Sequence, residues 1–396
     1  MVIEPPAFLR ERGVGKVLEV LPGARVVGGA VRDAVAGLPV ADTDVAAPQQ
    51  PEEVTRRLEA AGFRVAPTGI AHGTVTAIAD GTPVEVTTLR RDVETDGRHA
   101  VVEFMEDFRA DAARRDFTIN AMSMDAHGAV FDYFGGIADL RAGALRFVGD
   151  PATRIAEDYL RILRFFRFYA RYARRKPDAA TITALRDGVW GLGRLSAERV
   201  WAELKRILAA PDPSESVALM AELGVLQALL PEGADAVRLA RMVRPGAPAD
   251  PLLRFAALVT GDIAAVFERL KLSGEETRKV VALQQGAVVL RPDADDAMLR
   301  RMLAENDKSV LIGRSWITGG DAPGWRELRD RLAAIEVPVF PLQGRDVVAQ
   351  GVAPGPRVGA LLQQARARWL AGGCVADRAA CLGELVRLIS SDGYSG

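Results

Sequence analysis

Cysteine and histidine are scarce in this 396-residue chain: it has two cysteines, Cys374 and Cys381, and three histidines, His72, His99 and His127, all in the first third. A disulfide framework is thereby excluded, and so is a Cys/His zinc cluster. Any hydrolase site built on several histidines is excluded beyond His127. The stretch MVIEPPAFLRERG carries acids and prolines where a secretory signal needs a basic start and an apolar run, and no apolar stretch reaches about 18 residues. A cytoplasmic protein with no membrane partner is expected. Net charge is also nearly missing, with 51 Lys+Arg against 52 Asp+Glu and a formal total of -1. Taken over the whole chain, that balance speaks against a nucleic-acid partner. What remains is ordinary globular composition, 49% hydrophobic, long enough for two or three domains with a substantial core.

Residues 24–90 alternate short β-branched runs with turn signals: ARVV, DTDVAA, TVTAIAD and PVEVTTL. Asp80-Gly81 between the last two predicts an antiparallel hairpin of Thr74 to Asp80 with Pro83 to Leu89. From about Arg154 the pattern changes to apolar residues at three- and four-residue spacing, as in EDYLRILRFFRFYARYARR and SAERVWAELKRILAA, and no clear strand returns. Breaks fall at 211–213, 243–251 and 350–356. The fold class is α+β, a mixed-sheet head followed by a long helical part. Cys374 and Cys381, seven apart, could share a helical face, but read more simply as small buried hydrophobes.

Charge looks different once it is divided along the chain. Arg141 to Ala210 holds 15 Lys+Arg against 7 Asp+Glu, so one helical stretch is strongly basic. A solvated helix surface is the bland account of such a run. The interleaved Tyr159, Phe165, Phe166, Phe168, Tyr169 and Tyr172 read mostly as core.

Chemistry concentrates in residues 26–47, VVGGAVRDAVAGLPVADTDVAA. A strand runs into Gly28-Gly29, a helix follows with Arg32 near its start, and a second strand carries Asp42 and Asp44 on one face. Paired aspartates are hard oxygen ligands suited to Mg²⁺, which accepts substrate phosphates in its remaining positions. The glycines let backbone approach phosphate, the helix start adds N–H groups, and Arg32 adds positive charge. Each signal alone is weak: the glycines can be a simple turn, Asp-x-Asp an exposed pair, and Arg32 a partner for Asp33. Glu85, between Val84 and Val86, would face the side of Thr87 and supply a third carboxylate; a solvent-facing edge glutamate is the alternative. Three carboxylates are the usual means of holding two metals about 4 Å apart for displacement at phosphorus. On the basic helix, at about 100° per residue, Arg161, Arg164 and Arg171 share a face opposite Ile162, Leu163 and Phe166, with Asp158 next to Arg161.

The motifs GGAVRD, DTD, HGTVT (72–76), EVTTLRRD (85–92), DGRH (96–99), RRDFTINAM (114–122), FDYFGGIADL (131–140), EDYLRILRFFRF (157–168) and LSAERVWAEL (195–204) resemble, in order and spacing, the class II CCA-adding tRNA nucleotidyltransferases. That family also contains bacterial poly(A) polymerases. The likeness is continuous over about 24–210, and residues 340–362 again resemble the family's tail. It implies a polymerase β-like nucleotidyltransferase head at 1–145, a helical neck for base recognition at 146–210, a helical body at 211–335 and a tRNA-binding tail at 336–396. It further implies that Asp42 and Asp44 hold the metal with Glu85 as third member, that Gly28, Gly29 and Arg32 meet the triphosphate, and that Arg115, Asp116 and Asn120 belong to a nucleotide and ribose motif. Plain surface charge is the alternative for Arg114 and Arg115.

By the same resemblance Asp158 and Arg161, with Arg164 and Arg167 beyond, read the Watson–Crick edges of cytosine and adenine. An intrahelical Asp158–Arg161 ion pair is the alternative there. The implied partners are tRNA, CTP and ATP, with no DNA, and the cofactor is Mg²⁺. Because Arg91 to His99 is present, addition of the final A is expected, so CCA addition leads and A-only addition or poly(A) synthesis follows. Two other classes are weighed. A small-molecule nucleotidyltransferase would not need the basic helix, and an idle RNA-binding module would not need both aspartates.

Overall fold

The computed structural model describes residues 1–10, 12–40, 42–69, 73–79, 82–95, 100–286 and 289–392. The Asp80-Gly81 turn, His72, His99 and the 96–99 motif lie outside the described residues. By internal packing the chain divides into two units, Met1–Pro231 with Arg269–Lys271, and Glu232–Glu268 with Leu272–Gly396.

The first unit contains all nine strands found among the described residues: β1 (Arg25–Val27), β2 (Asp44–Ala47), β3 (Arg64–Gly69), β4 (Thr74–Ala79), β5 (Thr82–Thr88), β6 (Arg90–Thr95), β7 (Ala100–Phe104), β8 (Met122–Met124) and β9 (Val130–Asp132). Seven form one sheet in the order β3-β4-β5-β2-β1-β8-β9, and β6 pairs with β7 separately. The expected hairpin is β4–β5, antiparallel with Ala79 opposite Thr82. In the large sheet β2 and β5 run parallel, with Asp44 in register with Glu85. A parallel neighbour requires a crossover, and the helix Pro51–Ala60 supplies it, turning Val54 and Leu58 onto the sheet. One expectation is corrected here. Asp42 precedes the strand rather than lying on it, because β2 begins at Asp44.

A second correction concerns the basic helix. Residues 157–175 read as one continuous helix, yet the structure has two, Pro151–Glu157 and Leu160–Tyr172, with Asp158 extended between them at φ -153°, ψ 108°. The Asp158 side chain accepts from the Leu160 N–H at 3.0 Å, so the carboxylate competes with helix continuation and starts the second helix instead. Along Leu160–Tyr172 the residues Ile162, Leu163, Phe165, Phe166, Phe168 and Tyr169 are buried. The Phe165 and Phe168 rings meet Phe117 and Phe147 at centroid separations of 5.4 to 6.0 Å, and Phe117 and Phe147 stand 4.8 Å from each other, so the four rings share one aromatic core.

The regular elements of the second unit among its described residues are all helices, from Ala236–Val243 to Arg378–Asp392, with one isolated antiparallel bridge of Ala234 to Val259. Its cores centre on Leu299, Leu311 and Leu328 and on Val347, Leu361 and Leu385. Cys374 and Cys381 are both free and buried. They do not share a helix: Cys374 sits at φ 61° in the turn before Arg378–Asp392, the helix that carries Cys381. No helix among the described residues is long and apolar enough to cross a membrane.

Candidate active site

One cleft of about 740 Å³ in the first unit brings together Gly28, Gly29, Arg32, Asp42, Asp44, Arg115, Asp116, Asn120, Asp158, Arg161, Arg164 and Arg167. Every residue singled out from the sequence except Glu85 lines it. Its size is typical of a small-ligand site. Eight arginines and four aspartates line it, a cationic surplus suited to a polyanion.

The strand side is built on the turn after β1. Gly28 has φ 70°, a backbone conformation that favours glycine, and a Cβ there would stand 2.7 Å from Arg115 Nη1 and displace that guanidinium. Asp44 is exposed at the start of β2, and Glu85 is exposed between the buried Val84 and Val86. Glu85, Thr87 and Arg114 line a smaller cavity of about 160 Å³ that shares Asp44 and Arg115 with the cleft. Although Asp44 keeps contact with solvent, its place in the cleft wall strips part of its hydration; that loss first, then Glu85 and lastly Asp42, raise its pKa, against the lowering effect of Arg115. Among the described residues no three His, Cys, Asp or Glu side chains already converge into a metal cage. The donor chemistry nonetheless fits a hard divalent cation that keeps waters and takes phosphate ligands, since these carboxylates burden one another in its absence.

Behind this wall runs a closed set of bonds. Arg32, buried, donates from Nε and Nη2 to the two Asp33 oxygens at 3.0 Å each, and from Nη1 to Asn120 Oδ1 at 2.7 Å. Asn120 Nδ2 donates to Asp116 Oδ1 at 3.0 Å, and Arg164 Nε donates to Asp116 Oδ2 at 2.6 Å. Tyr172, on the helix of Arg164, closes the ring by donating to Asp33 Oδ1 at 2.6 Å, with its own ring 4.4 Å from the Arg32 guanidinium. Burial alone would push the Asp116 carboxyl up, but Arg164 together with Asn120 and the Phe117 N–H holds it below the usual range. Tyr172 is pushed up to about 12, by burial above all and by its bond to Asp33. The Asp33 partnership weighed for Arg32 is thus real, and Arg32 lines the cleft as well.

On the helical side, Asp158 pairs with Arg199 (Oδ2 to Nη2, 2.7 Å), while Arg161 pairs with Glu157 and donates to the Arg154 carbonyl at 2.9 Å. The Asp158–Arg161 pair weighed from the sequence is replaced by these two. Arg167 and Arg206 both donate to the buried Glu203 Oε1 at 3.0 Å. Burial and then the neighbouring Arg164 push Arg167 down to about 10. Arg114 and Arg115 are not plain surface charge, since both pair with the buried Asp111. Sequence reasoning missed Arg199 and Arg206 as cleft residues. Their seven-residue spacing on the amphipathic helix Ala197–Leu208 was the available signal.

The family model described as the poly A polymerase head domain matches residues 24–146, and the one described as the probable RNA and SrmB-binding site of polymerase A matches 176–237. The chain is 37% identical over 367 residues to the mitochondrial CCA tRNA nucleotidyltransferase 1 of Mus musculus, covering 88% of this chain and 83% of that one. It is 31% identical to the CCA-adding enzyme of Levilactobacillus brevis, covering 86% and 87%. Its fold matches the crystal structure of the Bacillus stearothermophilus CCA-adding enzyme in complex with CTP at a TM-score of 0.72, with 26% identity over 98% of this chain and 100% of that one.

Proposed function

Since the chain belongs to the family of CCA-adding tRNA nucleotidyltransferases, we propose that it adds C, C and A in turn to the 3′ end of tRNA, using CTP and ATP and no nucleic-acid template. The observation that carries this reading is the single cleft lined by Asp42 and Asp44 together with Asp158, Arg161 and Arg199. A nucleotide fitted there would have its phosphates near the carboxylates and its base near guanidinium–carboxylate pairs.

Asp42 and Asp44, with Glu85 as third member, would hold Mg²⁺, which supplies charge neutralisation at the triphosphate and activation of the RNA 3′-hydroxyl in a two-metal arrangement. The protein's own share is positioning and electrostatics, with no covalent intermediate required. Gly28 and Gly29 admit the phosphates close to the backbone. Arg32 uses three of its five N–H donors on Asp33 and Asn120, which fixes its plane and leaves two for phosphate oxygens. Arg115 balances the carboxylates from the other side. Asp158 would accept from the exocyclic amine of cytosine or adenine while Arg161 donates to the adjacent ring nitrogen. Uracil and guanine present the opposite order and are refused. Arg199, bonded to Asp158, holds that carboxylate in its orientation.

In this proposal residues 1–145 act as head, 146–210 as neck, 211–335 as body and 336–396 as tail, the last holding tRNA, and the enzyme works in the cytoplasm; the Mus musculus relative is named as mitochondrial. The test is a tRNA transcript ending at the discriminator base, incubated with CTP, ATP and Mg²⁺. Growth by three nucleotides, and none with Asp42→Ala, is expected. Unlimited A addition would move the reading to poly(A) synthesis, and a single A added only to transcripts ending in CC would move it to A-only addition.

A further inference from the structure

A second cavity of about 520 Å³ opens on the first unit, and its lining includes Ile155, Tyr159, Trp190 and the carboxylates Asp150 and Asp187. None of these five belongs to the nucleotide cleft. Trp190 is 66% exposed, whereas Trp201, Trp325 and Trp369 are 4%, 9% and 5% exposed. Its position is held by its neighbours. Tyr159 meets it edge-on at 5.1 Å, and the Tyr159 ring lies so close to Gly191 that a Cβ there would fall 2.0 Å from a ring carbon. Tyrosine thus occupies the space against the backbone and the indole stays outside. The Arg194 guanidinium stands 5.9 Å from the Tyr159 ring and 6.0 Å from the Trp190 ring, within cation–π range of both.

An outward indole, a backing phenol and an exposed guanidinium make up the surface on which unpaired bases stack, with the cation free to meet the adjoining phosphate. The two carboxylates decide between base and phosphate as occupant of the cavity itself: they repel phosphate and accept from the amino groups of a base. Trp190 and Arg194 also fall within the residues matched by the family model described as a probable RNA and SrmB-binding site. We infer that Trp190, backed by Tyr159 and flanked by Arg194, is a stacking platform for an unpaired nucleobase of the RNA substrate, outside the cleft that receives the incoming nucleotide. This rests on the reading of tRNA as substrate.

The platform also adjoins the cleft through the chain itself, since Tyr159 follows Asp158 at the break between the two helices.

The experiment uses the full chain and a tRNA transcript lacking its CCA end. Titration with the transcript quenches tryptophan fluorescence in the wild type. In Trp190→Ala most of that quenching disappears and the tRNA Kd rises about tenfold, the effect of losing one stacked base at roughly 1–3 kcal/mol. KM for CTP and ATP stays unchanged, as does the thermal midpoint, because the indole is exposed. Trp190→Phe restores most of the affinity. A Kd for Trp190→Ala equal to that of wild type overturns the platform, including the case in which this surface serves a protein partner instead. If wild type itself neither binds nor extends the transcript, the substrate reading falls, and this inference with it.

Discussion

On the strand side of the cleft, loss of hydration first and then the negative charge of Glu85 and Asp42 raise the pKa of Asp44. On the helical side, Arg161, Arg164, Arg167 and Arg199 each face a carboxylate: Glu157, Asp116, Glu203 and Asp158. The first wall is left in need of a cation. The second is settled before any ligand arrives, so its side chains are held in place at little further entropic cost when a base enters. In the proposed reaction, the contrast separates the group assigned to transfer from the group assigned to nucleotide choice.

The largest effect that would sharpen this contrast is expected from Asp44→Asn. Nucleotide addition should fall by about 10³-fold, since losing a carboxylate partner of the cation removes several kcal/mol of transition-state stabilisation. The thermal midpoint should hold or rise, because a mutually repelling charge is gone. Asp116→Ala should show its main effect on stability. It strands Arg164 and Asn120, and about 3–5 kcal/mol of stability should disappear from denaturant unfolding.

Acid should separate the walls in the same way. A raised Asp44 must be deprotonated to serve, so activity is lost on acidification above the usual carboxylate range, and added Mg²⁺ should move that limb downward. The stability contributed by the lowered Asp116 is fully present above its unfolded pKa and is lost only as pH falls through its depressed folded value. Parallel activity and melting profiles against pH should therefore show catalysis failing first; coincident loss would contradict the division.

A smaller effect is expected from Asp158→Ala, which should cut discrimination of CTP and ATP against UTP by about 5- to 150-fold, the worth of one bidentate base contact. Single-nucleotide incorporation with each NTP measures it, and unchanged selectivity would remove the base-reading role. Arg199→Ala should move selectivity in the same direction, less far. Smallest of all, Tyr172→Phe keeps the ring beside Arg32 and loses only the bond to Asp33, costing about 1 kcal/mol of stability. KM for CTP and ATP should rise together while their ratio stays fixed.

Much of the strand side was legible in the sequence because its signals are local. The β4–β5 hairpin followed from alternation, and the outward setting of Glu85 from its two flanking valines. The helical side was legible as a basic helical face and a motif, but not in its pairings. Its ion pairs join residues far apart in the chain, with Asp158 meeting Arg199 across 41 positions and Tyr172 meeting Asp33 across 139, and no periodicity reports such encounters. The break at Asp158 escaped because Glu157, Leu160 and Arg161 all suit a helix. Only an aspartate ahead of an apolar run hinted that a new helix begins there.

The parallel pairing of β2 with β5 sets Asp44 beside Glu85 although 41 positions separate them along the chain. Because strand register alone brings these two together, the connecting segment can lengthen or shrink among relatives without disturbing their spacing. A slip of one position would instead present Val84 or Val86, and the carboxylate proposed as third ligand would vanish at once. Insertions in the crossover should therefore be tolerated where a single deletion within β5 is not, a pattern that a scan of length variants would display directly.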